Sequence, residues 1–404
     1  MKKFTFILAI ALCTGSLVFS QANRRYVAVQ NTTLKSSAGF FSINLRTLSL
    51  GDAVTLISDS GKWSRVQFEN STGWVQSSNL TAKRVIPSSA VSVSSNEVAL
   101  AGKGFSPAVE LEYRKNGLDY SMVDYMEQIT IPSDDLLRFI TEGRLAKGDG
   151  SFFDTFFIVT DDEYTLLDTY YLGRAVAANI TKSYKPYTGN PEMTKYLNSI
   201  CQTLVINSFR PPVFNDYHVI ILDSDEFNAF ASSGGHIFIT RKLIEAAASE
   251  DMLAAVIAHE LAHIMLRHSI AAIKETRFSN EMSAIADYAN KTAGKYSAAS
   301  SQASSFRDSI TKVVDTLMIN GYSQSQEFEA DNEAMVLLFK AGYDPSALID
   351  LLKVLQAQGS KRGGFYSTHP SPGERIANAE RSAYRNIFQY TSQYRASRFR
   401  NMKL

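Results

Sequence analysis

Cysteine, tryptophan and histidine are scarce in this chain: 404 residues include two Cys, two Trp and six His. Neither sign of charge dominates, since Lys+Arg number 41 and Asp+Glu 40. That balance excludes a whole-chain electrostatic attraction to nucleic acid or to a membrane surface. Long apolar runs are missing too, and no segment approaches the ~20 residues that a membrane span requires. What is present is the composition of an ordinary globular protein, 45% hydrophobic and 20% charged. The length suits two or three folded units.

The first residues have the layout of an export signal: Lys2 and Lys3, an apolar run from Phe4 to Leu12, then small residues near Ser20 and Ala22. Residues 1–20 are therefore expected to be a signal peptide, and the mature chain to be exported to the periplasm or cell envelope with no transmembrane segment. Leu12 stands before Cys13 where a lipidation signal normally has Gly or Ala, so lipidation is discounted. Removal of the signal leaves Cys201 alone, which excludes an intramolecular disulfide. Its apolar surroundings, Tyr196 to Val205, predict a buried residue.

Residues 24–84 read as short strands, at Tyr26–Val29, Asp52–Ile57, Trp63–Phe68 and Gly73–Val75, with Gly51, Gly61 and Gly73 at the turns. Both tryptophans, Trp63 and Trp74, lie here. The run "LSLGDAVTLISDSGKWSRVQFENSTGWVQSSNL" resembles the bacterial SH3-like domain, which implies a small all-β barrel with a cell-wall or peptide ligand. Residues 85–97 read as a Ser/Val-rich linker, 98–162 as a helical connecting region and 163–400 as a chiefly helical domain with one clear strand. The basic stretch Arg381 to Lys403 is expected to be a solvated helix end.

Chemistry concentrates in the second half, which holds all six histidines. His259 and His263 frame "HELAH" within "ASEDMLAAVIAHELAHIMLRH", a segment without Pro or Gly that predicts a continuous, largely buried helix. Residues four apart share a helix face, so the two imidazoles can meet one ion, and Glu260, about 100° round the helix, can reach a water on it. Two histidines and a glutamate buried without a partner would carry a desolvation penalty that a metal removes. A catalytic zinc needs a third protein ligand. "QSQEFEADNEAM" offers Glu327, with Glu329 and Glu333 as rivals, and Asp331, four residues after Glu327, to orient a ligand histidine.

Four pieces in order, "NAFASSGGHIFITRKLI" (Asn228 to Ile244), HELAH, "EFEAD" (Glu327 to Asp331) and "STHPSPGERI" (Ser367 to Ile376), resemble the HtpX-like and CAAX-prenyl-endopeptidase-like zinc metallopeptidases, which are gluzincins. The resemblance implies one zinc ion per chain on His259, His263 and Glu327, with Glu260 as base and Asp331 supporting a ligand histidine. His369 resembles the family histidine over the metal, catalytic through the oxyanion or blocking the open position, and Arg375 is expected to anchor its loop. The strand "GGHIFIT" is expected to be an edge strand that aligns substrate through Gly235, His236 and Ile237, with the His236 ring turned away from the metal and Asn228 holding substrate backbone. His268 is expected to be structural, and Phe278 to Asn320 to be a lid or a packing hairpin.

The expected architecture is multidomain: an SH3-like barrel, then a mainly α, zincin-type (α+β) metallopeptidase domain with a short edge-strand sheet. The expected activity is hydrolysis of peptide bonds in envelope proteins, misfolded or outer-membrane ones included, by a Glu-assisted water. The rivals are a latent protease acting mainly as an envelope chaperone or binding protein, and a cell-wall-targeted peptidase.

Overall fold

The computed structural model describes residues 23–82, 107–115, 117–148, 166–208, 213–274, 321–358, 369, 372–385 and 393–402. The expected signal peptide, the linker, the Phe278 to Asn320 segment and most of "STHPSPG" lie outside them. Two compact units divide the chain, Met1–Val91 and Ser92–Leu404.

In the first unit, seven short strands, β1 (Arg24–Val27), β2 (Asn31–Lys35), β3 (Asn44–Ser49), β4 (Ala53–Asp59), β5 (Trp63–Phe68), β6 (Ser71–Gln76) and β7 (Leu80–Thr81), form one sheet in the order β3-β2-β6-β5-β4-β1-β7. Alternation along each strand buries Val27, Leu34, Leu48, Val54, Val66 and Val75 on one face. Trp63 closes that core with Phe40 edge-on to its ring at 5.2 Å.

The second unit is built on helices α1 (Pro107–Lys115), α2 (Ser121–Met126), α3 (Ser133–Gly143), α4 (Leu166–Ser183) and α5 (Pro191–Ile206), strands β8 (His218–Leu222), β9 (Ala229–Ser232) and β10 (His236–Thr240), and helices α6 (Arg241–Ala246), α7 (Glu250–Met265), α8 (His268–Lys274), α9 (Gln324–Ala341), α10 (Ala347–Gln358), α11 (Pro372–Ala379) and α12 (Gln393–Asn401). Every residue of α7 is buried, as expected of a helix apolar all round at the centre of a domain. Ser249 caps its start by accepting from the amide of Met252. Packed against α7, α9 begins with a capping box between Ser323 and Gln326 and ends at Gly342, φ 85°. Cys201 is buried in α5.

The sheet of this unit has the order β8-β10-β9, with β10 parallel to β8 and antiparallel to β9. "GGHIFIT" is therefore the centre of the sheet, which corrects the expected edge strand. The four-residue β9, too short to be legible from alternation, turns back through Ser233–Gly235 and covers it. Gly235 at φ +97° permits that turn, where an added Cβ would meet the Asp216 carbonyl oxygen at 2.3 Å. The outer side of β8 is already occupied. Asn198 donates to the Val219 carbonyl at 2.8 Å and accepts from its amide at 2.9 Å, and Tyr187 donates its amide to Ile221. Among the described residues, β9 is thus the edge left for a further strand.

Helices α1 and α2, from the region expected to be a connector, share the core of α4, β8 and β10 through Tyr113, Val123, Met126, Leu172 and Phe238. Three carboxylates of this region, Glu110, Asp124 and Glu127, surround the Arg174 guanidinium at 2.6–2.7 Å. The basic C-terminal stretch is solvated only in part: Arg381, Arg385 and Arg400 are exposed, but two other arginines are not. Arg395, 1% exposed, binds Asp251, and Arg398 binds Glu250, both in the first turn of α7. Buried carboxylates require cations, and α12 delivers them.

Candidate metal centre

One turn of α7 separates His259 from His263, and their Nε2 atoms lie 3.1 Å apart. Glu327, one turn into α9, brings Oε1 to 3.4 Å from His263 Nε2 and Oε2 to 3.5 Å from His259 Nε2. Metal–nitrogen bonds of ~2.0–2.1 Å place the ligand atoms of a tetrahedral zinc about 3.3 Å apart, so this triangle fits such an ion. His259, His263, Glu327 and His369 together present four donor atoms within 4.8 Å of one another, all buried. Glu329 and Glu333 are not in the cluster; the Glu329 side chain is 63% exposed.

Glu260, beside the triangle and 1% exposed, has a buried Oε1 with no hydrogen-bond partner among the described residues. A carboxylate oxygen orphaned in this way calls for a water or a substrate proton. His369 Nε2 lies 3.9 Å from that oxygen, and the other ring nitrogen, Nδ1, lies 2.7 Å from Glu327 Oε1. Asp331 Oδ1 lies 3.0 Å from His259 Nδ1, where it accepts the ring proton, and Nε2 of the same ring faces Glu327. Arg375 was expected to anchor a loop. It does so from inside the site, tying α11 to α9: it is bidentate to Asp331 at 2.6 and 2.8 Å and lies 3.0 Å from Glu327 Oε2. The Tyr322 ring stacks on His263 at 4.1 Å. No local pattern marks Tyr322 in the sequence, because its partner is distant along the chain.

The electrostatics follow from burial and these pairings. Burial pushes the Glu260 carboxyl up, so it holds a proton more readily than an exposed carboxylate does. Burial would raise Glu327 as well, but His369 and Arg375 hold it well below the usual carboxylate range. His263 is held well below its usual value by burial. Burial and Arg375 pull His259 down, yet hydrogen bonds to Asp331 and Glu327 prevail and lift it to about 9. A proton on His259 thus stands in for the positive charge that a metal would bring.

Of the expected substrate contacts, Gly235, His236 and Ile237 are corrected, because both sides of their strand are paired. The His236 ring lies between Ser232 and Glu127, at 2.9 and 2.7 Å, pointing into the ionic cluster of α1 and α2. Asn228 is buried at the start of β9, its Oδ1 accepting the Ala229 amide. A cleft lined by Leu172, Val176, Ile180, Phe230, Tyr322 and His369 opens beside β9.

Residues 191–383 match the family model "Peptidase family M48", and residues 31–81 match "Bacterial SH3 domain". The chain is 30% identical over 210 residues to the beta-barrel assembly-enhancing protease of Escherichia coli (strain K12), a match covering 49% of this chain and 40% of that protein. It is 30% identical over 190 residues to the mitochondrial metalloendopeptidase OMA1 of Schizosaccharomyces pombe, over 46% of this chain and 52% of that protein. With the metalloprotease LoiP of Escherichia coli (strain K12) it shares 26% identity over 187 residues, 46% of this chain and 69% of LoiP. The chain spans less than half the length of the first of these relatives. Residues 191–383 are a peptidase family M48 domain and residues 31–81 a bacterial SH3 domain.

Proposed function

We propose that this chain is a zinc-dependent metalloendopeptidase in which His259, His263 and Glu327 hold the metal and Glu260 is the base. The observation that supports it most directly is the 3.1, 3.4 and 3.5 Å triangle of buried donors beside a buried carboxylate oxygen without a partner. Two imidazoles and one carboxylate are a donor set suited to zinc. Zinc held there supplies Lewis acidity, which acidifies a water and polarises the scissile carbonyl. Glu260 takes the proton of the attacking water and returns it to the leaving amine. Asp331 fixes the tautomer of His259, and Arg375 balances the charge of Glu327 and Asp331.

An extended substrate adds to the edge of β9 that no described strand pairs, by main-chain hydrogen bonds, with an apolar side chain in the adjoining cleft. The relative named for β-barrel assembly points to envelope proteins as the substrates and to the envelope as the compartment. Among the described residues no helix is long and apolar enough to cross a membrane. The SH3 domain is assigned a cell-wall or peptide ligand; equal retention on purified sacculi by the full chain and by a chain lacking residues 24–84 would refute the cell-wall option.

The test is metal content and casein cleavage of the purified chain beside Glu260→Gln. One zinc per chain in both, with cleavage lower by about 10²–10⁴-fold in the variant, supports the reading. Cleavage by a zinc-loaded Glu260→Gln chain at the parental rate sinks it.

A second reading, a latent protease, is favoured by His369, whose donor atom joins the other three within 4.8 Å. Four protein donors close a zinc site, whereas a catalytic one keeps a position open.

A further inference from the structure

Helix α7 ends at Met265, and two residues later Arg267 adopts a left-handed backbone, φ 57°. That conformation is uncommon for a non-glycine residue, and it ends the helix in a sharp turn. An unbroken helix would carry residue 268 about 140° round from His263. The turn brings His268 back instead. It is 2% exposed, and its Nδ1 lies 2.9 Å from Nδ1 of His263. Its other nitrogen, Nε2, lies 3.3 Å from Oε2 of Glu329 on α9.

Counting protons fixes the direction of this chain. A neutral His263 that turns the Nε2 lone pair to a metal carries its proton on Nδ1. That N–H donates to His268, so His268 Nδ1 accepts. The proton of His268 then sits on Nε2 and is donated to Glu329. One metal bond therefore settles two tautomers and engages a carboxylate at the surface.

We propose that His268 and Glu329 are positioning residues of the metal centre: a His263–His268–Glu329 relay holds the ring plane and tautomer of His263 and raises its basicity as a ligand. The relay rests on His263 being a ligand. It is the counterpart of Asp331 on His259, but its anchoring carboxylate is 63% exposed, whereas Asp331 is fully buried. The two imidazoles are thus supported unequally, and the support of His263 is the one open to solvent.

The experiment is zinc affinity of the full-length chain by competition with a chromophoric chelator, together with the visible spectrum of the cobalt-substituted protein. His268→Phe fills the space without an acceptor and is expected to weaken zinc by about 10–100-fold and to shift the cobalt bands, the range typical of losing a group that orients a ligand. His268→Gln offers an oxygen to His263 Nδ1 and is expected to recover much of the loss. Glu329→Gln alters only an exposed side chain, so folding is preserved, and a weakening of up to about tenfold is expected. Parental zinc affinity in both His268→Phe and Glu329→Gln overturns the relay while leaving the peptidase reading intact. A parent chain that binds no zinc overturns the ligand reading and the relay with it.

Discussion

His369 touches the carboxylate of Glu327 through Nδ1 at 2.7 Å and faces Glu260 through Nε2 at 3.9 Å. One imidazole thus engages both the proposed third ligand and the proposed base, and it competes for the position a substrate carbonyl needs. His369→Ala is expected to keep one zinc per chain and to raise cleavage of an unstructured substrate by about tenfold, if the contact removed is worth ~1.4 kcal/mol. A fall in rate at unchanged zinc content would place His369 on the transition state instead.

Arg375 is the guanidinium that balances Glu327 and Asp331, all three at most 1% exposed. Removing one partner of a buried ion pair costs about 3–5 kcal/mol. Arg375→Ala is therefore expected to lower Tm by about 10 °C in the presence of a chelator, and by less when zinc supplies the missing positive charge. Melting curves with and without zinc check this; equal zinc-induced rises in parent and variant would refute it.

The acid limb of stability is expected to depend on Glu127. Burial would raise this carboxyl, but the hydrogen bond and charge of His236, with Arg174, bring it down to about 2 from the usual 4.5. A folded value below the unfolded one means stabilisation that is present above pH 4.5 and lost as pH falls through about 2, on the order of 3 kcal/mol. Glu127→Gln is expected to be less stable than the parent at pH 7, with the gap closing towards pH 2. Urea midpoints at pH 7 and pH 3 measure it, and a constant gap would contradict it.

The edge of β9 that no described strand pairs makes a kinetic prediction. Thr240 donates its amide to the Asn228 carbonyl and Gly235 donates to that of Ser232, so the intervening Ala229 and Ala231 turn their main-chain groups outward. The Ala229 amide is taken by Asn228 Oδ1. Ala231→Pro deletes the remaining amide at an edge, where proline is tolerated. Peptide cleavage is expected to fall by about tenfold through KM, with zinc content unchanged. Unchanged KM would direct the search for the substrate path elsewhere.

Legibility in the sequence tracked the distance over which an interaction acts. The spacing of His259 and His263 is a property of one helical turn, so their shared face could be read directly. Glu327 could not be separated from Glu329 by pattern, because which of the two is buried depends on how α9 lies on α7. β9 escaped notice because four residues give too little alternation, and its omission put β10 at the edge. His268 looked rotated away because the left-handed Arg267 is invisible to helical periodicity. The basic C-terminal stretch looked solvated because its carboxylates lie 144 and 148 residues earlier.

Those last contacts impose an order in time. Glu250 and Asp251 open the helix that bears HELAH, and their cations arrive only with Arg395 and Arg398. During synthesis the ribosome completes the proposed catalytic segment well over a hundred residues before its counter-charges emerge. Until then the helix start holds two carboxylates that cannot be buried without cost. The start of the HELAH helix is therefore neutralised only once α12 docks on it, so this part of the domain is completed by a segment distant along the chain.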